Sequence, residues 1–244
     1  MRYFGGKNRI ARKLAGYIAT HIRRVYIEPF CGSFWVGSLI DADTKIASDA
    51  CQPLITLLKA VQSGWQPPTE LSEDDYNWLE AIQDPTDPMT AFAGFGCSFA
   101  GKWFGGYARC KRGDNYAKNS SSSLQKQFRN YAMNARNSLV KHTNSDVIFC
   151  CADYRALQPR NALIYCDPPY AGTTGYSAIG KFDWTEFWDT IRLWSLSDNT
   201  VLISEYCAPE DFTCVLEIAT KTDIRVKTGR EPSIERLFQL AECI

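Results

Sequence analysis

The side chains best suited to chemistry close a short run, Ala162-Leu-Ile-Tyr-Cys-Asp-Pro-Pro-Tyr170. Asp167 offers a carboxylate, Pro168 a backbone carbonyl and Tyr170 a ring face. Pro168 and Pro169 stiffen the link between them, because each ring fixes its own φ and Pro169 pushes Pro168 into extended geometry. Such a turn can grip a planar base carrying an exocyclic amine. The Asp167 carboxylate and the Pro168 carbonyl accept the two amine hydrogens while Tyr170 stacks on the ring. The same tetrapeptide also reads as a strand followed by an ordinary Pro-Pro turn, so the rest of the chain must decide.

Three upstream stretches bear on that choice. Tyr3-Phe-Gly-Gly-Lys7 places adjacent glycines and a cation just before a helical pattern (Ile10, Leu14, Ile18, Ile22). The glycines let backbone approach a ligand closely, although a Gly-Gly turn capping a surface helix has the same pattern. Val25–Phe34 runs from an apolar strand through Glu28 and Pro29 to Phe30 and a turn at Gly32. An apolar helix (Phe34, Trp35, Val36, Leu39, Ile40) is expected to follow. Strand, glycine turn and helix form a unit that receives nucleoside-type cofactors. With one glycine and an acid at the strand end, a ligand bearing an amine or ammonium suits it better than a pyrophosphate, so S-adenosylmethionine fits better than NAD. Lys45–Asp49 is a second short strand ending in an acid, which suits ribose hydroxyls or a helix N-cap.

These groups need strands to present them. Leu163–Cys166 reads as a strand buried on both faces, as in a parallel sheet, with Asp167 at the carboxyl edge where ligands bind in such sheets. Asp146–Tyr154 is another buried strand leading to Asp153, and Thr200–Tyr206 a further one. Ile224–Lys227 and Arg236–Leu240 read as two closing strands. Helices are expected from Pro53 through Val61, over Glu73–Ile82, from Leu124 to Leu139, and after Asp183 with Glu186 as a capping pair.

From Ser63 to about Lys141 the pattern changes: proline clusters, then a glycine- and aromatic-rich segment, then cations. Lys102, Arg109, Lys111, Arg112, Lys118, Lys126 and Arg129, with Arg136 and Lys141 beyond, face the single acid Asp114 over that stretch. In a chain with 27 basic and 27 acidic residues, such local asymmetry is either a polyanion footprint or a solvated basic face. Trp103, Phe104, Tyr107 and Tyr116 lie among the cations, where they can pack on sugars or bases.

Length and composition bound the rest. The 244 residues, 45% hydrophobic and 22% charged, suit one α/β domain with an insertion. No apolar run approaches a membrane span and the N-terminus lacks a signal-peptide core, so a soluble cytoplasmic protein is expected. The 10 cysteines fall largely in apolar runs (Cys31, Cys150, Cys151, Cys166, Cys207, Cys214), where they act as small hydrophobes. With no C-x-x-C and only His21 and His142, neither a metal site nor a disulfide framework is expected.

Taken in order, YFGGK, YIEPFCGSF, the acid after the second strand, the basic insertion, DY, YCDPPY, and then LISEY and ERLF resemble the Dam-type DNA adenine methyltransferases, especially the short phage-borne kind. The resemblance implies a Rossmann-like, S-adenosylmethionine-dependent methyltransferase fold. Its sheet would be mostly parallel and seven-stranded, with one antiparallel strand at the end. Residues 1–63 and 142–244 would form the catalytic domain and 64–141 a largely helical target-recognition insertion. Carried over by position, Tyr3, Phe4, Gly5, Lys7, Glu28, Pro29, Phe30, Gly32 and Asp167 would line the cofactor site. Asp49 would take the ribose, Asp153 and Tyr154 would border the cofactor's adenine, and Asp167–Tyr170 would hold a flipped adenine. Lys102 through Arg129 would meet duplex DNA. The implied partner is DNA, with no obligate protein partner and a monomer or weak dimer. A relative acting on cytosine N4, RNA or a protein glutamine is the alternative, against which Asp167 speaks, since those relatives commonly carry serine or asparagine there. A catalytically silent DNA-binding relative is the third reading.

Overall fold

A computed structural model describes every residue except 2, 4, 22, 109–132, 134, 142, 144–145, 171–181, 222–231 and 242–244. Strands β1 (Val25–Glu28), β2 (Thr44–Asp49), β3 (Val147–Cys151), β4 (Ala162–Cys166), β5 (Thr200–Glu205), β6 (Phe212–Lys221) and β7 (Pro232–Leu240) form a seven-stranded sheet among the described residues. Its order is β3-β2-β1-β4-β5-β7-β6. Pairing is parallel from β3 to β5, and β7 runs antiparallel to both of its neighbours. The α-helices are α1 (Ala11–Ile18), α2 (Gln52–Gln62), α3 (Glu73–Ile82), α4 (Pro88–Ala91) and α5 (Trp184–Ser195). This is a mixed α/β, Rossmann-like architecture. None of these helices is long and apolar enough to cross a membrane.

Backbone contacts divide the chain into two compact units, Met1–Gly6 with Cys51–Ser145 and Lys7–Ala50 with Asp146–Ile244. The second contains the sheet. All five β4 side chains are buried, as expected of a strand covered on both faces. Alternation divides them between two cores. Leu163 and Tyr165 join Tyr26, Leu202 and Leu237 beneath Ile10, Leu14 and Ile18, the 3.6-residue stripe of α1 and its N-cap. Ile164 and Cys166 join Ile27, Val201, Ile203 and Phe238 against Phe187, Trp188, Ile191 and Trp194 of α5. Each buried Leu, Ile or Phe contributes roughly 1.5–3 kcal/mol of transfer free energy. Asp183 caps α5 by accepting hydrogen bonds from the Thr185 and Glu186 amides at 2.9 and 3.0 Å. Glu186 does not return the bond as a capping box would; it pairs with Arg155 at 3.2 Å.

Three expectations are corrected. The stretch after Gly32 is not a helix, because Phe34 takes a left-handed backbone (φ 57°) and only a 3-10 turn, Gly37–Leu39, follows. Burying Phe34, Val36 and Ile40 holds the segment against the sheet without a regular helix. β3 is an edge strand: Ile148 is exposed on its open face and Cys151 at its carboxyl end. β6 carried no expectation, and the expected strand 224–227 lies outside the described residues. Cys214 of β6 and the nearby Cys207 are exposed, unlike buried Cys31 and Cys166, and no disulfide joins any described cysteines.

The other unit is built on α2, α3 and α4. Pro53 lies in the first turn of α2, whose Leu54, Ile55, Leu57, Leu58 and Val61 are buried. α3 begins at Ser72, whose hydroxyl accepts from the Asp75 amide at 3.0 Å. A π-turn over Phe92–Gly96 continues α4. Of the expected helix 124–139 the described part is helical from 135 to 141. The aromatics expected to meet DNA are half-buried and pack against other rings of this unit. Trp103 packs on Phe95 and Phe104 (ring centroids 4.8 and 4.7 Å), and Tyr76 on Phe104 and Tyr107 (both 5.3 Å). Gly94 permits this, since a Cβ there would sit 2.5 Å from the Trp103 ring. Tyr116 lies outside the described residues. Phe99, which carried no expectation, is 63% exposed.

Candidate active site

Strand order places the site. From β1 the chain moves outward to β2 and β3, and from β4 it moves the other way to β5, so the order reverses between β1 and β4. At such a switch point the loops leaving the carboxyl ends part and open a crevice. Glu28 ends β1, Asp49 ends β2, Asp167 follows β4 and Glu205 ends β5. One sheet edge therefore carries a row of acids.

At the β1 side the turn is pre-shaped. Gly32 has φ 50°, a conformation glycine adopts without strain, and its amide donates to Asp49 Oδ2 at 3.0 Å. Glu28 is buried, with Oε2 accepting from the Gly37 amide (2.9 Å) and the Tyr26 hydroxyl (3.1 Å). Burial drives its pKa well above the ordinary glutamate range, against the hydrogen bond from Tyr26. Gly37 is required here, since a Cβ would lie 2.4 Å from the Glu28 carboxylate and 2.3 Å from the Phe34 ring. The Ser33 hydroxyl is buried in the same turn without a hydrogen-bond partner.

At the β4 side, four side chains from three distant stretches of the sequence meet. The Lys7 ammonium lies 2.7 Å from Asp167 Oδ1 and 3.4 Å from Glu235 Oε1. It also stands 4.4 Å above the centre of the Tyr170 ring, within cation–π range. The Tyr170 hydroxyl donates to Glu235, and its ring meets Tyr206 edge-on at 4.7 Å. Burial raises the Asp167 pKa to about 6, with Lys7 opposing and Glu235 adding to the rise. Burial works against the Lys7 ammonium, yet Asp167 and Glu235 outweigh it and hold its pKa above the usual lysine value. Tyr170 stays protonated, its pKa driven well up by burial first and then by the two carboxylates. Pro168 is buried and Pro169 half-buried.

The structure thus brings Lys7, Asp167 and Tyr170 together, and joins Gly32 to Asp49. Pro29 is buried, and Phe30 packs on Tyr154 at 5.2 Å in an aromatic cluster with Phe182 and Phe187. Tyr154 is nearly enclosed by that cluster. Asp153 is engaged by Arg155 through both oxygens, at 2.7 and 2.9 Å, and that hydrogen-bonded pairing lowers its pKa. Tyr3 and Gly5 belong to the other unit, where Tyr3 packs on Phe95 at 5.3 Å and Gly5 turns the chain with φ 79°. Phe4, Arg109, Lys111, Arg112, Lys118, Lys126 and Arg129 lie outside the described residues. Lys102 is exposed.

Glu235 and Tyr206 were missed as site residues, although ERLF and LISEY contain them. A signal was available for Glu235: it shares a strand face with buried Leu237, and an acid at an inward position of an apolar strand is seldom there for packing. The hydroxyl of Tyr170 was also left without a role by the stacking picture, and the structure gives it one.

A family model described as D12 class N6 adenine-specific DNA methyltransferase matches residues 3–87 and 103–209, most of the chain. No curated protein matches it. The chain belongs to the D12 class of N6 adenine-specific DNA methyltransferases, enzymes that methylate adenine in DNA.

Proposed function

We propose that this D12-class enzyme takes its methyl group from S-adenosyl-L-methionine and transfers it to the exocyclic amine of an adenine flipped out of duplex DNA. The observation carrying this reading is the position of Asp167-Pro168-Pro169-Tyr170, directly after β4 and beside β1, where the strand order reverses. The residues at the β1 edge suit the donor. Carboxylates at successive strand ends match hydroxyls and positive charge, Gly32 lets backbone come close, and the unpartnered Ser33 hydroxyl marks a polar lining. Asp49 would hold the ribose, and Phe30 with Asp153 and Tyr154 would flank the adenine moiety. Bound there, S-adenosylmethionine supplies an electrophilic methyl group on sulfur.

The protein's part is positioning and electrostatics. Adenine's amine is a poor nucleophile because its lone pair is delocalised into the ring. Hydrogen bonds from its two hydrogens to Asp167 and the Pro168 carbonyl favour a pyramidal nitrogen with the lone pair directed at the methyl. Positive charge then develops on that nitrogen beside an ionised Asp167. Flipping costs a few kcal/mol of unpairing and unstacking, offset by contacts in this pocket. The target-recognition segment is assigned to residues 64–141, with Lys102, Arg109, Lys111, Arg112, Lys118, Lys126 and Arg129 meeting phosphates or bases.

The test is sequencing that reports methylated positions in DNA from cells expressing wild type or Asp167→Ala. N6-methyladenine at one recurring site with wild type, and none with the variant, is expected. Methylated cytosine, or equal marking by the variant, would refute the reading.

A further inference from the structure

We propose that Glu235 is a positioning residue for this reaction: it shares the charge of Lys7 and accepts from the Tyr170 hydroxyl, so that neither group is directed at Asp167 alone. The inference rests on the assignment of the amine to Asp167 made above. Lys7 sits between two carboxylates, 2.7 Å from Asp167 and 3.4 Å from Glu235. A buried ammonium facing Asp167 alone would direct its donors at the very acceptor the amine needs. Its charge would also oppose the positive charge that grows on the amine nitrogen. A second carboxylate 3.4 Å from Lys7 offsets both effects.

The location supports a functional purpose. Glu235 lies on β7, paired with Ile218 of β6, and its side chain is only 9% exposed. Packing alone calls for an apolar residue there, since a buried carboxylate is costly unless it is paired. Tyr170 fixes Glu235 by donating to it, and Tyr206 braces Tyr170 at 4.7 Å. Among the described residues the other titratable groups around Asp167 are Glu28, Tyr165, Cys166, Tyr170, Tyr206 and Glu235, with Lys7 as the facing cation.

The experiment uses the full-length enzyme, radiolabelled S-adenosylmethionine and genomic DNA lacking adenine methylation. Rates are followed from pH 5 to 8, alongside thermal melting and DNA affinity. Glu235→Gln keeps the shape and removes the charge. Its kcat should fall about tenfold or more while KM for DNA stays within about twofold. The acid limb of kcat/KM should move down by about one pH unit, because a like charge beside Asp167 has gone. A loss of rate with the limb unmoved would mean a merely structural role and overturn the inference. So would wild-type kcat and limb while Asp167→Ala is inactive. Asp167→Ala retaining more than about a tenth of the rate would instead sink the amine assignment itself. If Glu235→Gln melts early, Lys7→Met is compared with Lys7→Met/Glu235→Gln. The double variant should have the lower limb, and identical limbs would overturn the inference.

Discussion

Acid should silence this enzyme well above the pH at which an ordinary aspartate titrates. Burial raises Asp167, Lys7 pulls it down, Glu235 pushes it up again, and the balance stands at about 6. Protonation turns one Asp167 oxygen into a donor and removes the charge that strengthens its hydrogen bonds from the amine and from Lys7. With a midpoint near 6, about nine-tenths of the molecules are ionised one pH unit above it and about one-tenth one unit below. The value of kcat/KM for DNA, which reports the free enzyme, should therefore drop about tenfold from pH 7 to pH 5. Lys7→Met removes the opposing cation and should carry the limb to higher pH. Stability responds in the opposite sense. A folded pKa raised above the unfolded one means that the stabilising contribution of this group is fully present below the usual aspartate range and is lost as pH rises through about 6. The assay is initial-rate methyl transfer in a constant-ionic-strength buffer series, with a melting curve at each pH to exclude unfolding. A limb near pH 4, or one that Lys7→Met shifts downward, would refute the argument that a dry, Lys7-opposed carboxylate holds the amine.

Tyr170→Phe should slow transfer by about tenfold, since a hydrogen bond to a charged partner carries roughly 1.5–3 kcal/mol, and Tyr170→Ala should cost more by also removing the ring. Wild-type rates for Tyr170→Phe would leave stacking as the whole of its role. Replacing Arg109, Lys111 and Arg112 with Ala should weaken DNA binding and flatten its salt dependence by about 0.9 log unit per lost phosphate contact; an unchanged slope by titration at several salt concentrations would make the stretch a solvated face. Gly37→Ala forces a methyl to within 2.4 Å of the Glu28 carboxylate and should destabilise the fold by about 1–3 kcal/mol in urea titration, with rate lost as the β1 turn shifts. A neutral result would mean that the turn adapts.

Much of the fold was legible. The continuous apolar run of Leu163–Cys166 reads as a fully covered strand because both faces of a parallel sheet are buried. The presence of α1, α2, α3 and α5 follows from periodicity, with Pro53 opening α2 and Asp183 capping α5, although the α1 pattern read on to Ile22 and the helix ends at Ile18. Less legible was anything set by neighbours across the sheet. Ile148 and Cys151 look like core residues, yet β3 is an edge strand and leaves them in solvent. Phe34 to Ile40 has helical apolar content, but a left-handed Phe34 and the need to pack beside Glu28 leave only a 3-10 turn. Trp103, Phe104 and Tyr107 read as sugar or base contacts, and the structure shows what the sequence could not, that these half-buried rings pack against one another and against Tyr76 and Phe95.

By itself the sequence determined the motifs, their order and the chemistry each side chain can do, because strand ends, proline turns and glycine turns are local properties of a few residues. It named Asp167 and Lys7 separately. Only the tertiary structure decided that Lys7, Asp167, Tyr170 and Glu235 form one charge cluster, with Lys7 and Glu235 drawn from opposite ends of the chain. Reversal of strand order beside β1 and insertion of β7 between β5 and β6 bring them together. Local patterns cannot specify that, because a buried ion pair depends on distance and desolvation, and these are fixed only when the sheet closes around it.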